Sequence, residues 1–453
     1  MQTAIRRTLV GLLAAGIVAP LLGQNAKVVE FPDPALFYQN TTFDMQGNVA
    51  YVPSFDNDVL WSFSLATGEL LDPDGLALPA PGTSSDPFIF PDDRLAIPGW
   101  FPSQGVLVAD ISNPTNLTQI GVIAFPPTTN IQGQNVEIDD NGVIGYIAGF
   151  PDDKLYSFNI NTLSLEDPDG LGLPGNPDRI ALAGDRLAIV DTTNGRIMVA
   201  DVSNPADLAL AGVITLPGAN SFGSNDNIVF AADGQTGFVS SNERVLHSFD
   251  VVALSVLDPD GIAFGTQSFG DDVAIYGNTV ACVWSRGLAF IDVSDPTDLT
   301  LLSNANFGET VAPQGSATVD FTADGIRAAV PVIYPGDYVY TFDVASGAQV
   351  APRFLVDDQP NYLTIFQPGD QVGVLCSGNE ADNVWLIQGL FGNIPGDLDG
   401  DGDVDLGDLA ELLAAYGSCD GDPDYNPDAD LDDSGCVDLS DLALLLSNYG
   451  YGV

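Results

Sequence analysis

The sequence predicts a mainly β fold, an eight-bladed β-propeller with a seven-bladed ring as the alternative, followed by a small α-helical domain. Three observations point there. Asp110-Ile111-Ser112-Asn113-Pro114 returns as Asp201-Val202-Ser203-Asn204-Pro205 and as Asp292-Val293-Ser294-Asp295-Pro296, at a spacing of 91 residues both times. Between these copies, Trp61-Ser62-Phe63 recurs as Tyr156-Ser157-Phe158, His247-Ser248-Phe249 and Tyr340-Thr341-Phe342. The unit is thus about 45 residues in two alternating types, the period of a four-stranded propeller blade. Before residue 400 no long helical period interrupts the short apolar, β-branched runs and their Gly, Pro and Asx turns.

The odd units carry hairpins with Gly at the tip, at Gln46-Gly47, Asn141-Gly142, Asp233-Gly234 and Asp324-Gly325. Such pairs suit turns that need φ > 0. Three odd units also carry Asp-Pro-Asp-Gly, at 72–75, 167–170 and 258–261. This reads as a tight turn near the outer strand, with too few successive oxygens for a calcium loop. In the even units the Ser-Asx-Pro turn follows the third strand, set by side-chain hydrogen bonding and a fixed proline φ. Third strands fall at Phe63, Phe158, Phe249 and Phe342, at Asp110, Asp201 and Asp292, and around Leu386-Ile387, which makes eight.

The eighth unit ends near Leu390 without a fourth strand. The segment Lys27-Val28-Val29-Glu30-Phe31-Pro32 resembles the outer strands of the even units, such as Gly121-Val122-Ile123-Ala124-Phe125-Pro126. It is expected to complete the last blade, which closes the ring and leaves no open edge. Residues 25–390 form the propeller in this reading. The Asp-Ile/Val-Ser-Asn-Pro segments resemble the LVIVD repeat family of bacterial surface and secreted propellers. That resemblance implies a fold and a location but no common chemistry.

Residues 1–24 read as a signal peptide, with Arg6-Arg7 before an apolar run from Leu9 to Leu22. The run is short for a spanning helix. The expected location is therefore secreted or cell-surface, where disulfides form. Of 453 residues, 62 are acidic and 12 are Lys or Arg, a net charge of −50. That charge excludes phosphate-backbone binding, and hence nucleic acid, as a function. It favours cation binding and solubility in salty water.

After a linker at 391–396 the composition changes. Asp397, Asp399, Asp401, Asp403, Asp405 and Asp408 stand at calcium-loop spacing, with Gly402 at the sixth position and a carboxylate at the twelfth. A helix follows, with Leu409, Leu412, Leu413 and Tyr416 read as its apolar face. The pattern repeats 33 residues later as Asp430, Asp432, Ser434, Cys436, Asp438 and Asp441, then Leu442, Leu445, Leu446 and Tyr449. Residues 397–450 resemble a type I dockerin. The resemblance implies two calcium ions and docking to a cohesin-like or other surface receptor. In that family, partner choice lies just after each loop and on the exposed helix face, here Leu406-Gly407 with Leu413-Ala414 and Leu439-Ser440 with Leu446-Ser447. Its antiparallel helices would bring Cys419, after the first helix, against Cys436 in loop two, and so imply a disulfide between them. Cys282 and Cys376 lie in apolar strands a whole blade apart and are expected as buried free thiols.

No catalytic constellation can be named. The single histidine, His247, aligns with Trp61, Tyr156 and Tyr340 and reads as a packed core residue. Two candidate sites remain on the propeller. Asn40, Asn135, Asn227, Thr318 and Asp86, Asp178, Asp271 align where first strands begin beside the channel, either as strand caps or as a polar ligand ring. Phe55, Trp100, Phe101, Phe150, Trp284 and Tyr334 lie on loops between second and third strands, either packed between blades or set for sugar stacking. Two functions fit: a binding or scaffold protein for a carbohydrate or cell-surface partner, or a polysaccharide-degrading enzyme (hydrolase or lyase) with a dockerin tail. Release of reducing ends from a polysaccharide separates the second from the first.

Overall fold

The computed structural model describes residues 25–29, 31, 44–46, 48–54, 58–79, 87–99, 105–127, 129, 131, 135–149, 152–222, 227–264, 270–284, 287–307, 318–332, 337–350, 353–356, 360–366, 371–376, 383–388, 390–391, 396–398, 404–419, 421–431 and 434–449. Among them, strands form eight antiparallel sheets, one per blade. Blade 2 is typical: Phe88–Phe90, Arg94–Gly99, Gly105–Asp110 and Thr118–Ala124 follow from the channel outward. The eight-bladed reading holds.

Second and third strands are buried along nearly their whole length, as in Arg94–Gly99 and Gly105–Asp110. Each blade is covered on both faces by its neighbours, so these strands read as unbroken apolar runs rather than alternating ones. The seams are apolar clusters: Tyr51, Leu60, Leu95, Ile97 and Leu107 join blades 1 and 2, and Phe90, Val108, Ile147 and Phe158 join blades 2 and 3. The recurring phenylalanine lies over a small cross-strand partner. Gly145 faces Phe158 and Gly237 faces Phe249, and a Cβ on either glycine would come within 2.4 Å of the ring.

The two repeated motifs bind each other. Asp72, Asp167 and Asp258 each accept a bond at one oxygen from the glycine of their own Asp-Pro-Asp-Gly turn, at 3.1–3.2 Å. The other oxygen accepts the N–H of Leu117, Leu208 or Leu299, in the turn of the next even blade, at 2.9, 3.2 and 3.1 Å. Ser62, Ser157 and Ser248 add a hydroxyl bond to the carbonyl of Pro114, Pro205 or Pro296 in the same turn. The turn glycines have φ near +60°, and each backs onto the side chain that opens the odd-unit motif, Trp61, Tyr156 or His247. The turn expected from the sequence is therefore also a latch between blades. Blade 7 lacks the aspartate motif, and blade 8 lacks the Ser-Asx-Pro turn it would grip.

Blade 8 is closed from the other end of the chain. Asn25–Val29 pairs antiparallel with Asn383–Gln388, with Lys27 opposite Leu386. The strand begins two residues earlier than the sequence suggested and ends before Phe31, whose ring packs 5.9 Å from Trp61 in blade 1. Deleting residues 25–29 strips the edge of Asn383–Gln388 and removes one of four strands from blade 8. Light scattering during thermal melting should show earlier unfolding and aggregation; an unchanged monomer with an unchanged melting temperature would mean that closure lies elsewhere.

Candidate functional site

The C-terminal domain is built from two helices, α1 (Leu406–Ala415) and α2 (Leu439–Asn448). Both start with a reciprocal capping box. Asp405 and Asp438 accept from the first-turn backbone, and Asp408 and Asp441 accept the N–H of Asp405 and Asp438, both at 2.7 Å. Asp408 also accepts the Leu398 N–H at 2.6 Å, so it braces the start of its loop as well as the end. In the second loop Asp430 accepts the N–H groups of Ser434 and Gly435, at 3.0 and 2.8 Å. Gly435 has φ +88°, the turn that the sixth loop position requires.

In the second loop the described side chains of Asp430, Ser434, Asp438 and Asp441 carry oxygen donors, the kind a hard divalent cation takes. Its turn glycine, Gly435, takes a positive φ, and in both loops the carboxylate at the twelfth position, Asp408 or Asp441, is fully buried. Of the ligands the sequence predicts, Asp397, Asp405, Asp408, Asp430, Ser434, Cys436, Asp438 and Asp441 are among the described residues, and no three carboxylate, thiol or imidazole side chains among those residues are gathered as a metal site. Asp399, Asp401, Asp403 and Asp432 lie outside the described residues. The pairing Cys419–Cys436 forms, and Cys282 and Cys376 are buried and free, as expected.

The helix faces correct the sequence reading. Val404, Leu412, Ala415, Ala429, Val437 and Leu445 make the small core. Leu413 and Leu446 point outward, both 52% exposed, on the face that the dockerin resemblance implies is exposed, and Tyr416 and Tyr449, read as part of the apolar face, point outward too at 45% and 46%. Leu406 and Leu439, each following its capping aspartate, are both 68% exposed. Two matching apolar triads thus stand in solvent.

On the propeller, the aligned polar residues at the first strands tie blades together. Asn135 exchanges two hydrogen bonds with the backbone of Ile180, and Thr318 two with that of Leu363. Asn227 donates to Asp272 at 2.6 Å. Asp272 is a buried carboxylate, and it also accepts the Val319 N–H at 3.2 Å. Burial pushes Asp272 up to about 7, against those bonds and the charge of Arg179. Desolvation likewise pushes Glu137 up to about 7. Sequence reasoning missed Glu137, Arg179 and Asp272. The inner strands are bulged between Pro177 and Ile180 and between Gly270 and Val273, which breaks the two-residue alternation there. Asp178 is 8% exposed; Asp86 and the side chain of Asp271 lie outside the described residues.

Of the loop aromatics, Trp284 is 6% exposed and packs 6.1 Å from Phe264, which is the packed alternative. Trp100, Phe101, Phe150, Tyr334 and Phe55 lie outside the described residues. His247 is fully buried, and neither ring nitrogen has a hydrogen-bond partner among the described residues. At the matching place in blade 3, the Tyr156 hydroxyl donates to Asp152 at 2.6 Å.

With this geometry in view, comparison with known proteins adds a family signature. Residues 103–124, 174–215 and 270–306 match the LVIVD repeat. Three of the four even blades carry LVIVD repeats. The matches fall on blades 2, 4 and 6, whose Ser-Asx-Pro turns are the gripped half of each latch. Among solved structures, the computationally designed protein Ika8 aligns over 80% of this chain and 100% of its own, with 13% identity and a TM-score of 0.58. The C-terminal WD40 domain of Sif2 aligns over 79% and 97%, with 10% identity and a TM-score of 0.58. Both likenesses concern the fold alone. No curated protein sequence matches the chain.

Burial lowers His247 from 6.5 to about 4, while nearby Glu243 and Asp258 pull the other way. The unfolded chain takes up this proton below about 6.5 and the folded one only near 4. The stability due to a neutral His247 is therefore full above 6.5 and is lost as pH falls through that window. A His247→Phe variant lacks the loss. Its melting temperature should rise relative to wild type between pH 8 and pH 4.5; a pH-independent difference would show that His247 titrates normally.

Proposed function

We propose that the protein is an exported, non-enzymatic binding or scaffold protein that docks through a dockerin-like domain holding two calcium ions. The observation that carries this reading is the duplication of two features together. Each oxygen-rich loop is followed by an exposed apolar triad, Leu406, Leu413 and Tyr416 or Leu439, Leu446 and Tyr449, with nearly equal exposures in the two copies. Large apolar side chains held in solvent on rigid helices mark a protein interface. The partner class is a cohesin-like domain or another surface receptor, met through these triads. Calcium would fix the loops that set the angle between the helices. The N-terminal signal-like segment and the disulfide support export.

The propeller then presents its loop face to a carbohydrate or cell-surface partner. The polar groups described at the channel mouth are bound to neighbouring blades, which leaves the loop aromatics as the recognition surface in this reading.

Calorimetric titration of calcium-stripped full-length protein tests the calcium part. Two ions per chain are expected, and Asp397→Ala or Asp430→Ala should each remove one. Absence of any calcium uptake by the wild-type chain would sink the proposal, and release of reducing ends from a polysaccharide would replace the scaffold role with an enzymatic one.

A further inference from the structure

The two loops of the C-terminal domain differ most at their seventh position, Asp403 in the first and Cys436 in the second. Cys436 is bonded to Cys419, which follows α1, with the Cα atoms 3.9 Å apart. Around the bridge the backbones pair. Gly417 N–H donates to the Val437 carbonyl at 2.8 Å, Val437 N–H donates to the Ser418 carbonyl at 2.9 Å, and the two cysteines oppose each other as an antiparallel pair. Cys419 is itself held by a bond from its N–H to Asp422 at 2.9 Å. The Ser434 hydroxyl, at the fifth position, donates to the Cys436 carbonyl at 3.2 Å. The bridge thereby fixes the fifth to eighth positions of loop two, including the carbonyl that the seventh position offers to a cation.

Loop one has no cysteine. It carries aspartate at the fifth and seventh positions, where loop two has Ser434 and Cys436. The first loop therefore attracts a cation with more charge, and the second compensates with a shape set in advance by a covalent tie.

We infer that the Cys419–Cys436 bridge is a positioning element of the second loop and makes that loop alone redox-sensitive in its calcium affinity. The inference rests on the calcium reading above. The reductant is a dithiol. One of its thiolates attacks a bridge sulfur, its second thiol displaces the mixed disulfide, and the reductant leaves as a cyclic disulfide. Two electrons and two protons end on the Cys419 and Cys436 thiols. Cys282 and Cys376 are already free thiols, so this is the one bridge available to reduce.

Full-length protein is stripped of calcium and titrated calorimetrically with and without dithiothreitol. Asp397→Ala isolates loop two, and Asp430→Ala isolates loop one. Reduction should weaken the loop-two site by about tenfold or more, the scale of losing a preorganising tie, and leave the loop-one site within about twofold. Cys419→Ser with Cys436→Ser should reproduce the reduced behaviour without reductant. Equal weakening of both sites would assign the bridge a general structural role and overturn the inference, as would no weakening of either. If oxidised wild-type protein takes up no calcium, the underlying calcium reading has failed, and this inference falls with it.

Discussion

Three aspartates hold the propeller in pairs of blades. Asp72 and Asp258 are 8% exposed, and a carboxylate so buried is tolerable only when its oxygens are bonded. One oxygen closes its own glycine turn, and the other takes the N–H of a leucine in the following blade. A hydrogen bond to a charged group contributes about 1.5–3 kcal/mol, and a lost partner costs the charge its compensation. Odd and even units must therefore keep their motifs together, which accounts for an alternating repeat. Where the latch is missing, between blades 7 and 8, the N-terminal strand completes the last sheet instead.

The seams from even to odd blades are built differently. Arg94 donates to the Ile160 carbonyl, Ser303 to that of Val344, and Gln371 to that of Leu65. No shared motif links these three contacts, and the inner ring of Asn135, Asn227, Thr318, Asp272 and Glu137 adds ties of its own. Polar side chains around the channel serve cohesion between blades, and recognition in our reading is left to the loops and to the C-terminal domain.

Blade number and closure by the N-terminal strand were legible because each rests on a repeat, and the cysteine pairing because the dockerin resemblance implies antiparallel helices that bring Cys419 to Cys436. The latch was not, since its partners lie 41–52 residues apart in sequence and meet only when the blades stack. Asp272 was missed because it sits in a bulge between Gly270 and Val273, where the two-residue alternation that sequence alignment relies on is broken. Leu413 stood in both the apolar face and the exposed, partner-choosing face of the reading, and Tyr416 in the apolar face alone, because α1 has apolar residues on two faces and periodicity alone does not choose between them. The buried face is Leu412 and Ala415, and Leu413 belongs to the other.

Amide hydrogen exchange at Leu117, Leu208 and Leu299 tests the central claim most directly. These residues sit in surface turns, where an unlatched N–H exchanges quickly. The latch predicts protection at all three amides comparable to that of the third strands beside them. It also predicts that Asp258→Ala frees Leu299 while Leu117 and Leu208 stay protected. Fast exchange at the three turn amides in the wild-type protein would contradict the paired-blade account.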